Sequence, residues 1–424
     1  MDEKTKVMLV NLVYEDQYPP LSIACLTAYA TKFEEIREKC KIILLSAPIE
    51  SFKPKALAGF ILSHNPAIIG FSCYLWNLDI YIETIPAIRE KLKDSLILLG
   101  GPESYPELLL EIPGADAVVV GEGELAFKEL LEKRTAGLPW EDIRGIALRR
   151  GGGVHVNPPQ PLIENLDDIP SPYLTGIIQA GNVKRIEYNR GCTYKCSFCY
   201  WSNTHYRHYS LKRIEEEIRD CIANKRPIHF QVGSYLNSGE FGVQILRFVK
   251  KCRLEHNLIM TGIILVNGNR YDPEFFEALA EAVTDKKLAV VEFGVQCCDR
   301  ETMKLNSRIN NLRAIKKNTA LLNRLKISSM IDILLGMPGD NLLRVAQSLA
   351  TVTDFRPTYI PIALLRQIPN TAIFRESEKF GIEADRLPPR IVHKTISSGP
   401  DALRKTAIMA QSFSIEYHAA NRFP

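Results

Sequence analysis

Three cysteines fall within eight residues near the middle of the chain, and their type and spacing indicate a metal centre. Cys192, Cys196 and Cys199 form a CxxxCxxC pattern, and Phe198 stands directly before the last cysteine. Thiolates on one short loop can reach a single centre without reorganising the chain. A structural zinc site or a simple ferredoxin cluster uses four protein ligands, and no second CxxC or CxxH pattern follows the loop. The pattern therefore predicts an iron–sulfur cluster with one iron open to another ligand.

Two further interpretations of the cysteines stay open at this point. A zinc site would need a fourth ligand, and His205 or His208 follows the loop, although neither falls in a recognised zinc spacing. The three thiols could also be unrelated buried side chains, which is what we expect of the seven remaining cysteines. Metal-ligand spacing on a loop is the more specific of these signals.

The composition is that of an ordinary globular protein, with 46% hydrophobic and 24% charged residues. The net charge is only +4, and no run of like charges stands out, so we expect no nucleic-acid partner. No stretch approaches the roughly twenty apolar residues of a transmembrane helix, and the N-terminus lacks a signal-peptide core. We therefore expect no membrane partner and a cytoplasmic location, where thiols stay reduced.

Residues 1 to 155 alternate apolar runs of strand length with helical segments, as expected for strands covered on both faces. The predicted strands cover residues 6–13, 41–46, 67–72, 96–100 and 117–120, and the predicted helices cover residues 21–39, 54–63, 78–93, 106–112 and 125–133. This alternation predicts an α/β fold with a doubly wound parallel sheet of the Rossmann type.

Ligands of such sheets bind at the carboxyl ends of the strands. Glycines follow the fourth and fifth predicted strands, at positions 100, 101, 121 and 123. They would let a bulky ligand approach the backbone closely, or they could simply form the tight strand-to-helix turns that this fold needs. The pattern alone leaves both interpretations open.

Residues 156 to 180 are rich in proline, which favours an extended connection, and we predict a linker there. Residues 181 to 387 alternate strands and helices again, which predicts a complete or partial parallel (β/α) barrel. The predicted strands cover residues 185–188, 228–232, 259–266, 288–293 and 328–335, and the predicted helices cover residues 211–223, 242–255, 273–282, 311–325 and 341–352. The cysteine loop follows the first strand, at the barrel end where chemistry is located. Residues 388 to 424 form a tail whose helix, over 402–417, is expected to pack on the barrel or cap the active site.

The cysteine loop with Phe198 resembles the radical S-adenosylmethionine (SAM) superfamily, in which the open iron of a [4Fe–4S] cluster chelates the amino and carboxylate groups of SAM. The segments Gly100-Gly-Pro-Glu103 and Gly121-Glu-Gly-Glu124 are similar to the cobalamin-binding domain that precedes the radical SAM domain in one large subgroup, the class B methyltransferase-like enzymes. Many cobalamin-binding domains carry an Asp-x-His-x-x-Gly motif whose histidine ligates cobalt. This chain has no histidine in the loop after its first predicted strand, so the resemblance implies either cobalamin bound without a histidine below the cobalt or a degenerate domain that has lost its cofactor.

The resemblance implies site residues at the matching positions of this sequence. Phe198, Gly233, Ser234 and Gln296 would line the SAM pocket, with Asn267 as a further ribose contact. The predicted cobalamin contacts follow the strands of the first domain and are Asn11, Tyr14, Ser72, Tyr74, Gly101, Pro102, Glu103, Gly121, Glu122 and Glu124. No catalytic acid or base is assigned.

The function implied by the resemblance is methyl transfer to an unactivated carbon of a small-molecule or peptide substrate. A 5′-deoxyadenosyl radical would abstract a hydrogen atom and methylcobalamin would supply the methyl group, while the cofactors carry the difficult chemistry. An electron donor such as flavodoxin or ferredoxin would reduce the cluster. The alternatives are a radical rearrangement, ring contraction, cyclisation or transfer of another part of SAM, and a non-enzymatic corrinoid- or metal-binding module.

Overall fold

The computed structural model describes residues 4–14, 19–179, 183–231, 235–237, 239–283, 285–286 and 288–420. The chain divides into two compact units, Met1–Asn182 and Val183–Pro424. Residues 156 to 180, the predicted linker, fall in the first unit and include a 3-10 turn at Leu166–Asp168.

The first unit is built on a seven-stranded sheet. Its strands are β1 (Thr5–Val13), β2 (Cys40–Pro48), β3 (Ile68–Ser72), β4 (Leu96–Gly100), β5 (Ala117–Val119), β6 (Ile146–Arg150) and β7 (Gly153–Val156). Its helices are α1 (Leu21–Thr31), α2 (Glu34–Lys39), α3 (Pro54–His64), α4 (Leu78–Lys91), α5 (Leu108–Glu111) and α6 (Glu124–Thr135). The strand order is β2-β1-β3-β4-β5-β6-β7, and β1 to β5 are parallel. This is a doubly wound order, as predicted.

Two features of the first unit differ from the prediction. The single helix predicted over 21–39 is two helices, because Phe33 adopts an extended conformation between them and packs its ring against the buried core. The sheet also continues into an antiparallel hairpin, β6 and β7, that was not predicted. Its turn is Gly151-Gly152, where both residues have positive φ, the conformation that tight hairpin turns require.

The second unit contains a partial barrel. Its strands are β8 (Lys184–Glu187), β9 (Asn189–Arg190), β10 (Arg207–His208), β11 (Ile228–Gln231), β12 (Gly262–Leu265), β13 (Ala289–Gln296), β14 (Ser328–Leu335), β15 (Ile362–Leu364), β16 (Glu383–Ala384) and β17 (Val392–Lys394). Its helices are α7 (Leu211–Ala223), α8 (Glu240–His256), α9 (Pro273–Ala282), α10 (Arg300–Leu305), α11 (Leu312–Leu325), α12 (Leu342–Thr353), α13 (Ala372–Arg375) and α14 (Pro400–Ala420).

The barrel strands follow one another in chain order. β8 pairs with β11, and β12 to β15 pair in sequence, all in parallel. An isolated bridge between Ile228 and Met260 joins the two groups. Within the described part of the chain no pairing connects β15 back to β8, so the predicted barrel is partial rather than complete.

Several of the barrel helices begin at polar capping side chains. Asp299, Asn311 and Asn341 each accept a hydrogen bond from a backbone N–H in the first turn of α10, α11 and α12. Such caps satisfy donors that a helix start leaves unpaired. These helix starts lie at the carboxyl ends of the strands, so the caps help to fix the loops around the barrel mouth.

The tail helix α14 packs on the barrel, as expected. Ser414 Oγ donates to the carbonyl of Ile360 at 2.7 Å, and Ile360 N donates to His418 Nε2 at 2.9 Å. These bonds tie α14 to the segment that leads into β15. Among the described residues, no helix combines the length and the apolar character needed to cross a membrane.

Candidate functional site

The three cysteines lie on one loop, residues 191 to 206, between the paired strands β9 and β10. Cys192 N donates to the carbonyl of Thr204 at 3.2 Å and closes the neck of the loop. Gly191 makes this neck possible: its φ is +75°, and a Cβ there would lie 2.0 Å from the carbonyl oxygen of His205. Glycine lets the two sides of the loop approach this closely.

All three cysteines carry free thiols, with Cys192 and Cys196 buried and Cys199 partly exposed. The backbone N–H of Tyr194 donates to Cys192 Sγ at 3.4 Å, and that of Trp201 donates to Cys199. Such N–H donors stabilise the anionic sulfurs of an iron–sulfur centre. Burial raises the pKa of Cys192, and it raises the pKa of Cys199 to about 11. Bound metal would therefore be what holds these sulfurs as thiolates.

The geometry of the loop suits a cluster better than a single ion. No three His, Cys, Asp or Glu side chains within the described ranges are gathered closely enough to hold one metal ion. His208, a possible zinc ligand by sequence, lies with Nδ1 2.8 Å from the carbonyl of Tyr209 and packs its ring on Phe241. Cysteines that hold a [4Fe–4S] cluster bind different irons, so their sulfurs stand further apart than the ligands of one ion. The described residues thus give the zinc alternative no assembled ligand set, whereas three cysteines on one loop match the predicted cluster.

Arg308 brings a positive charge to the cysteine loop. Its Nη1 lies 3.6 Å from Cys196 Sγ and 3.3 Å from Tyr235 Oη, and its Nη2 donates to the carbonyl of Gly294. Burial opposes the charge, but Tyr235 and Cys196 more than offset it and raise the pKa of Arg308. A half-buried guanidinium here suits an anionic cluster and a carboxylate bound at its open iron.

An asparagine network joins the cysteine loop to the loops after β11 and β12. Asn267 Nδ2 and Asn269 Nδ2 donate to Tyr194 Oη at 2.9 and 3.1 Å. The backbone of Asn267 pairs in both directions with the side-chain amide of Asn237, at 2.7 and 3.0 Å. The amide of Asn267, predicted as a ribose contact, therefore hydrogen-bonds within the protein and helps to position Tyr194.

The other predicted SAM contacts are placed differently from one another. Phe198 is partly buried between two apolar clusters, one around Ile373 and one around Cys297. Gln296 ends β13 with φ +70°, next to an irregularity in the pairing of β13 with β14. Left-handed backbone in such a residue costs of order 1–3 kcal/mol and concentrates at functional sites. Gly233 and Ser234 lie outside the described residues.

Two carboxyl groups meet between β13 and β14. Glu292 and Asp332 hydrogen-bond, and burial together with the neighbouring Glu292 carboxylate raises the pKa of Asp332 well above its usual value. Both residues alternate along their strands with residues that are fully buried, so they lie on the opposite, barrel-interior face. Burial and the neighbouring carboxylate thus favour the protonated form of Asp332.

In the first unit, the β1 and β3 ends flank the point where the strand order reverses, where doubly wound sheets bind ligands. Of the predicted contacts there, Asn11 and Ser72 are buried, Tyr74 is partly buried and Tyr14 is 66% exposed. The Oδ1 atom of Asn11 is buried and has no hydrogen-bond partner within the described ranges. Since buried polar atoms are normally paired, this orphan acceptor fits a ligand that supplies a donor, such as the amide side chains of a corrinoid.

Aromatic and amide side chains fix the same edge. The rings of Tyr74 and Trp76 stack with centroids 4.6 Å apart. Trp76 Nε1 and Asn77 Nδ2 both donate to the carbonyl of Leu12, at 3.0 and 2.9 Å. The loop after β3 is therefore bonded to the end of β1, which holds the two sides of the crevice together.

The remaining predicted contacts follow β4 and β5. Glu103 and Glu124 are buried, whereas Pro102 and Glu122 are partly exposed. Gly101 has φ +101°, and a Cβ there would lie 2.7 Å from the carbonyl oxygen of Cys73, which makes it a packing glycine. Gly121 has φ +88° and open space on the side where a Cβ would stand. This edge of the sheet thus has a tightly packed turn at Gly101 and open space beside Gly121, and it fits a bulky planar cofactor.

Several residues of the site were not predicted from the sequence. Arg308, Tyr235 and Asn306 reach the cysteine loop from segments that look like ordinary polar turns. The signal was available only in part: the run Asn306-Ser-Arg-Ile-Asn310 between two helical segments is unusually rich in side chains that hydrogen-bond.

The chain is similar to known families and proteins across most of its length. Residues 8–131 match the B12 binding domain family and residues 186–352 match the radical SAM superfamily. The cobalamin-dependent radical SAM methyltransferase TokK from Streptomyces tokunonensis is 32% identical over 50% of this chain and 33% of its own length. The uncharacterized methyltransferase PH0819 from Pyrococcus horikoshii is 31% identical over 47% of this chain and 45% of its own length. The chain thus spans less than half the length of these relatives.

A solved structure supports the same architecture. The structure of the radical SAM methyltransferase TsrM from Kitasatospora setae, with cobalamin and a [4Fe–4S] cluster bound, has a TM-score of 0.71 with 18% identity. The match covers 95% of this chain and 82% of TsrM. At this identity the likeness shows a shared fold.

Proposed function

Because this chain is a radical SAM protein with a B12-binding domain, we propose that it is a cobalamin-dependent radical SAM methyltransferase. We further propose that it methylates an unactivated carbon of a small-molecule or peptide substrate. The curated relatives TokK and PH0819 are both described as methyltransferases, which supports methyl transfer over the other reactions of SAM.

One observation carries this proposal: the loop of three free cysteines at the carboxyl end of β8, with Arg308 beside Cys196. Three cysteines leave one iron of a [4Fe–4S] cluster without a protein ligand. The guanidinium of Arg308 places a positive charge beside Cys196, and this charge favours an anionic ligand such as a carboxylate. The loop is therefore equipped for a ligand that chelates iron and carries a carboxylate, as SAM does.

When bound, the reduced cluster and SAM supply a 5′-deoxyadenosyl radical, and cobalamin supplies the methyl group. The chain itself positions these groups and excludes water. Arg308 would hold the carboxylate of SAM, and Asp332, paired with Glu292, would offer one proton donor and acceptor oxygens inside the barrel. Gln296, Gly233 and Ser234 remain the proposed contacts to the rest of SAM.

The cobalamin would lie on the carboxyl edge of the first unit, over the open side of Gly121. The side-chain carbonyl of Asn11 would accept a hydrogen bond from a corrinoid amide. A one-electron donor of the flavodoxin or ferredoxin type would reduce the cluster.

The experiment that tests this function uses anaerobic protein reconstituted with iron, sulfide and hydroxocobalamin and then desalted. About four irons and one cobalt per chain are expected. With a strong reductant and SAM, the protein should form 5′-deoxyadenosine and S-adenosylhomocysteine. Cys196→Ala is the matched control, because it should keep cobalt and lose 5′-deoxyadenosine.

The outcomes separate the alternatives. 5′-Deoxyadenosine without S-adenosylhomocysteine would favour a radical rearrangement or cyclisation. Cobalt and iron without any cleavage of SAM would indicate a corrinoid- and metal-binding module. Iron without retained cobalt would overturn the methyltransferase proposal.

A further inference from the structure

A buried pair of polar side chains connects the cysteine loop to a distant segment of the chain: Ser197 lies on the loop, and Asn306 is its partner. Ser197 stands directly after Cys196 and is 4% exposed, and Asn306 is fully buried. Ser197 N donates to the carbonyl of Asn306 at 3.0 Å, and Ser197 Oγ donates to Asn306 Oδ1 at 3.1 Å. The two residues are therefore joined by both backbone and side chain.

Asn306 in turn is fixed by two further loops. Its Nδ2 donates to the carbonyl of Thr302 in α10 and to the carbonyl of Pro338 after β14, both at 2.8 Å. The Asn306 amide thus makes three hydrogen bonds in a fully buried place, which defines its orientation. The side chain of Asn306 therefore hydrogen-bonds the cysteine loop to the loop after β14.

The opposite side of Ser197 is fixed as well. Its carbonyl accepts a hydrogen bond from Ile373 N in α13 at 2.9 Å. Two residues beyond Asn306, Arg308 Nη1 approaches Cys196 Sγ at 3.6 Å. The segment 306–308 therefore makes three contacts with Cys196 and Ser197, and α13 adds a hydrogen bond to the carbonyl of Ser197.

We propose that Asn306 is a positioning residue for the cluster: through Ser197 it sets where Cys196 presents its sulfur. This inference rests on the proposed function, since it assigns Asn306 a role toward the cluster that the function requires. The reduction potential of a cluster depends on the hydrogen bonds to its sulfurs and on its exposure to solvent. Loss of an outer partner of a metal ligand typically costs about ten- to a hundredfold in affinity or activity.

The test uses the full chain with the cluster reconstituted anaerobically. Ser197→Ala removes only the hydroxyl, and Asn306→Asp keeps Oδ1 but loses both amide donors. The matched control is Ser414→Ala, which removes a buried hydroxyl that donates to the carbonyl of Ile360 on the tail helix, outside the cysteine loop. For each protein we would measure iron per chain, the midpoint potential by EPR-monitored titration, and the rate of 5′-deoxyadenosine formation.

We expect Ser197→Ala and Asn306→Asp to shift the midpoint potential and to slow SAM cleavage about ten- to a hundredfold, while Ser414→Ala behaves as wild type. Loss of iron from a variant with an unchanged circular dichroism spectrum also supports the proposal, because it shows a failure of the loop rather than of the fold. Wild-type potential and rate in both variants would overturn it. Equal loss of folded protein in Ser197→Ala and Ser414→Ala would overturn it too, since the pair would then serve stability alone.

Failure of the proposed function would look different. In that case the wild-type protein itself would bind no cluster or cleave no SAM, whatever the variants do. The wild-type measurement therefore separates an error about Asn306 from an error about the enzyme.

Discussion

The substitution Gly191→Ala should disrupt the cluster without unfolding the protein. Gly191 forms the neck of the cysteine loop, and an added Cβ would lie 2.0 Å from the carbonyl oxygen of His205 and 2.8 Å from Thr204 Oγ1. The first of these is backbone, which cannot rotate away. Contacts of a Cβ below 3.0 Å are essentially never tolerated, so one side of the neck must move by at least 3.0 − 2.0 = 1.0 Å.

The expected loss of cluster binding and of SAM cleavage follows from this displacement of the neck. The neck carries Cys192, whose N–H bonds across it to Thr204. A misplacement of about 1 Å can lower a rate by roughly a hundredfold. The left-handed φ of +75° adds about 1–2 kcal/mol of backbone strain for alanine. We therefore expect loss of iron, or at least a roughly hundredfold slower SAM cleavage.

The assay is iron and sulfide per chain after anaerobic reconstitution, together with the EPR spectrum of the reduced protein. Gly137→Ala is the matched control, because Gly137 has a similar φ of +68° but nothing within 4 Å of its Cβ position. It carries the same kind of strain without the collision. A Gly191→Ala protein with wild-type iron content and EPR spectrum would refute the reasoning.

Three further substitutions follow, two at the site and one at Asp340, a buried carboxyl group in the loop after β14. Arg308→Met should make the cluster harder to reduce, because a half-buried cation beside Cys196 is lost, whereas Arg308→Lys should do so less; an EPR-monitored titration with no shift would contradict this. Gly121→Leu should lower cobalt retention, since its side chain would fill the open space beside Gly121, and the φ of +88° adds about 1–2 kcal/mol of backbone strain; cobalt at the wild-type level would place cobalamin elsewhere. Burial raises the pKa of Asp340 from 3.8 to about 7, so its contribution to stability is full below pH 4 and is lost as pH rises through 7. Wild type should therefore lose about 1 kcal/mol more than Asp340→Asn between pH 6 and 8, measured by denaturant unfolding, and parallel pH profiles would contradict this.

The architecture was largely predictable because buried parallel strands leave a strong signal. Continuous apolar runs such as residues 6–13 and 96–100 have the length and character of strands that are covered on both faces. The break of the first helix at Phe33 was not predictable, because residues 21–39 contain no glycine or proline to mark it. There the gain from packing one ring into the core outweighs the local preference for helix. The Gly151-Gly152 turn, in contrast, was a readable hairpin signal between two short runs.

The residues of the site also fall into a group that the sequence predicts and a group that it does not. The spacing of Cys192, Cys196 and Cys199 made these ligands predictable, since metal ligands on one loop must be close in sequence. Arg308 and Asn306 are more than a hundred residues away along the chain and meet the loop only because the barrel brings successive strand ends to one edge. The polar run at residues 306–310 does not by itself show which loop these side chains contact. Long-range hydrogen bonds of this kind are set by topology, and they become visible only with the structure.

The choice of side chains around the loop follows from the charge that it must accept. A [4Fe–4S] cluster held by three thiolates is anionic, so carboxylates nearby would oppose its reduction, and extra cations would have to be desolvated. Amides avoid both costs, because they donate and accept hydrogen bonds while remaining neutral. Asn237, Asn267, Asn269 and Asn306 connect the loops on this basis, and Arg308 supplies positive charge directly beside Cys196. Asn306→Asp removes two amide donors where Ser197→Ala removes one hydroxyl, so it should shift the midpoint potential further than Ser197→Ala does.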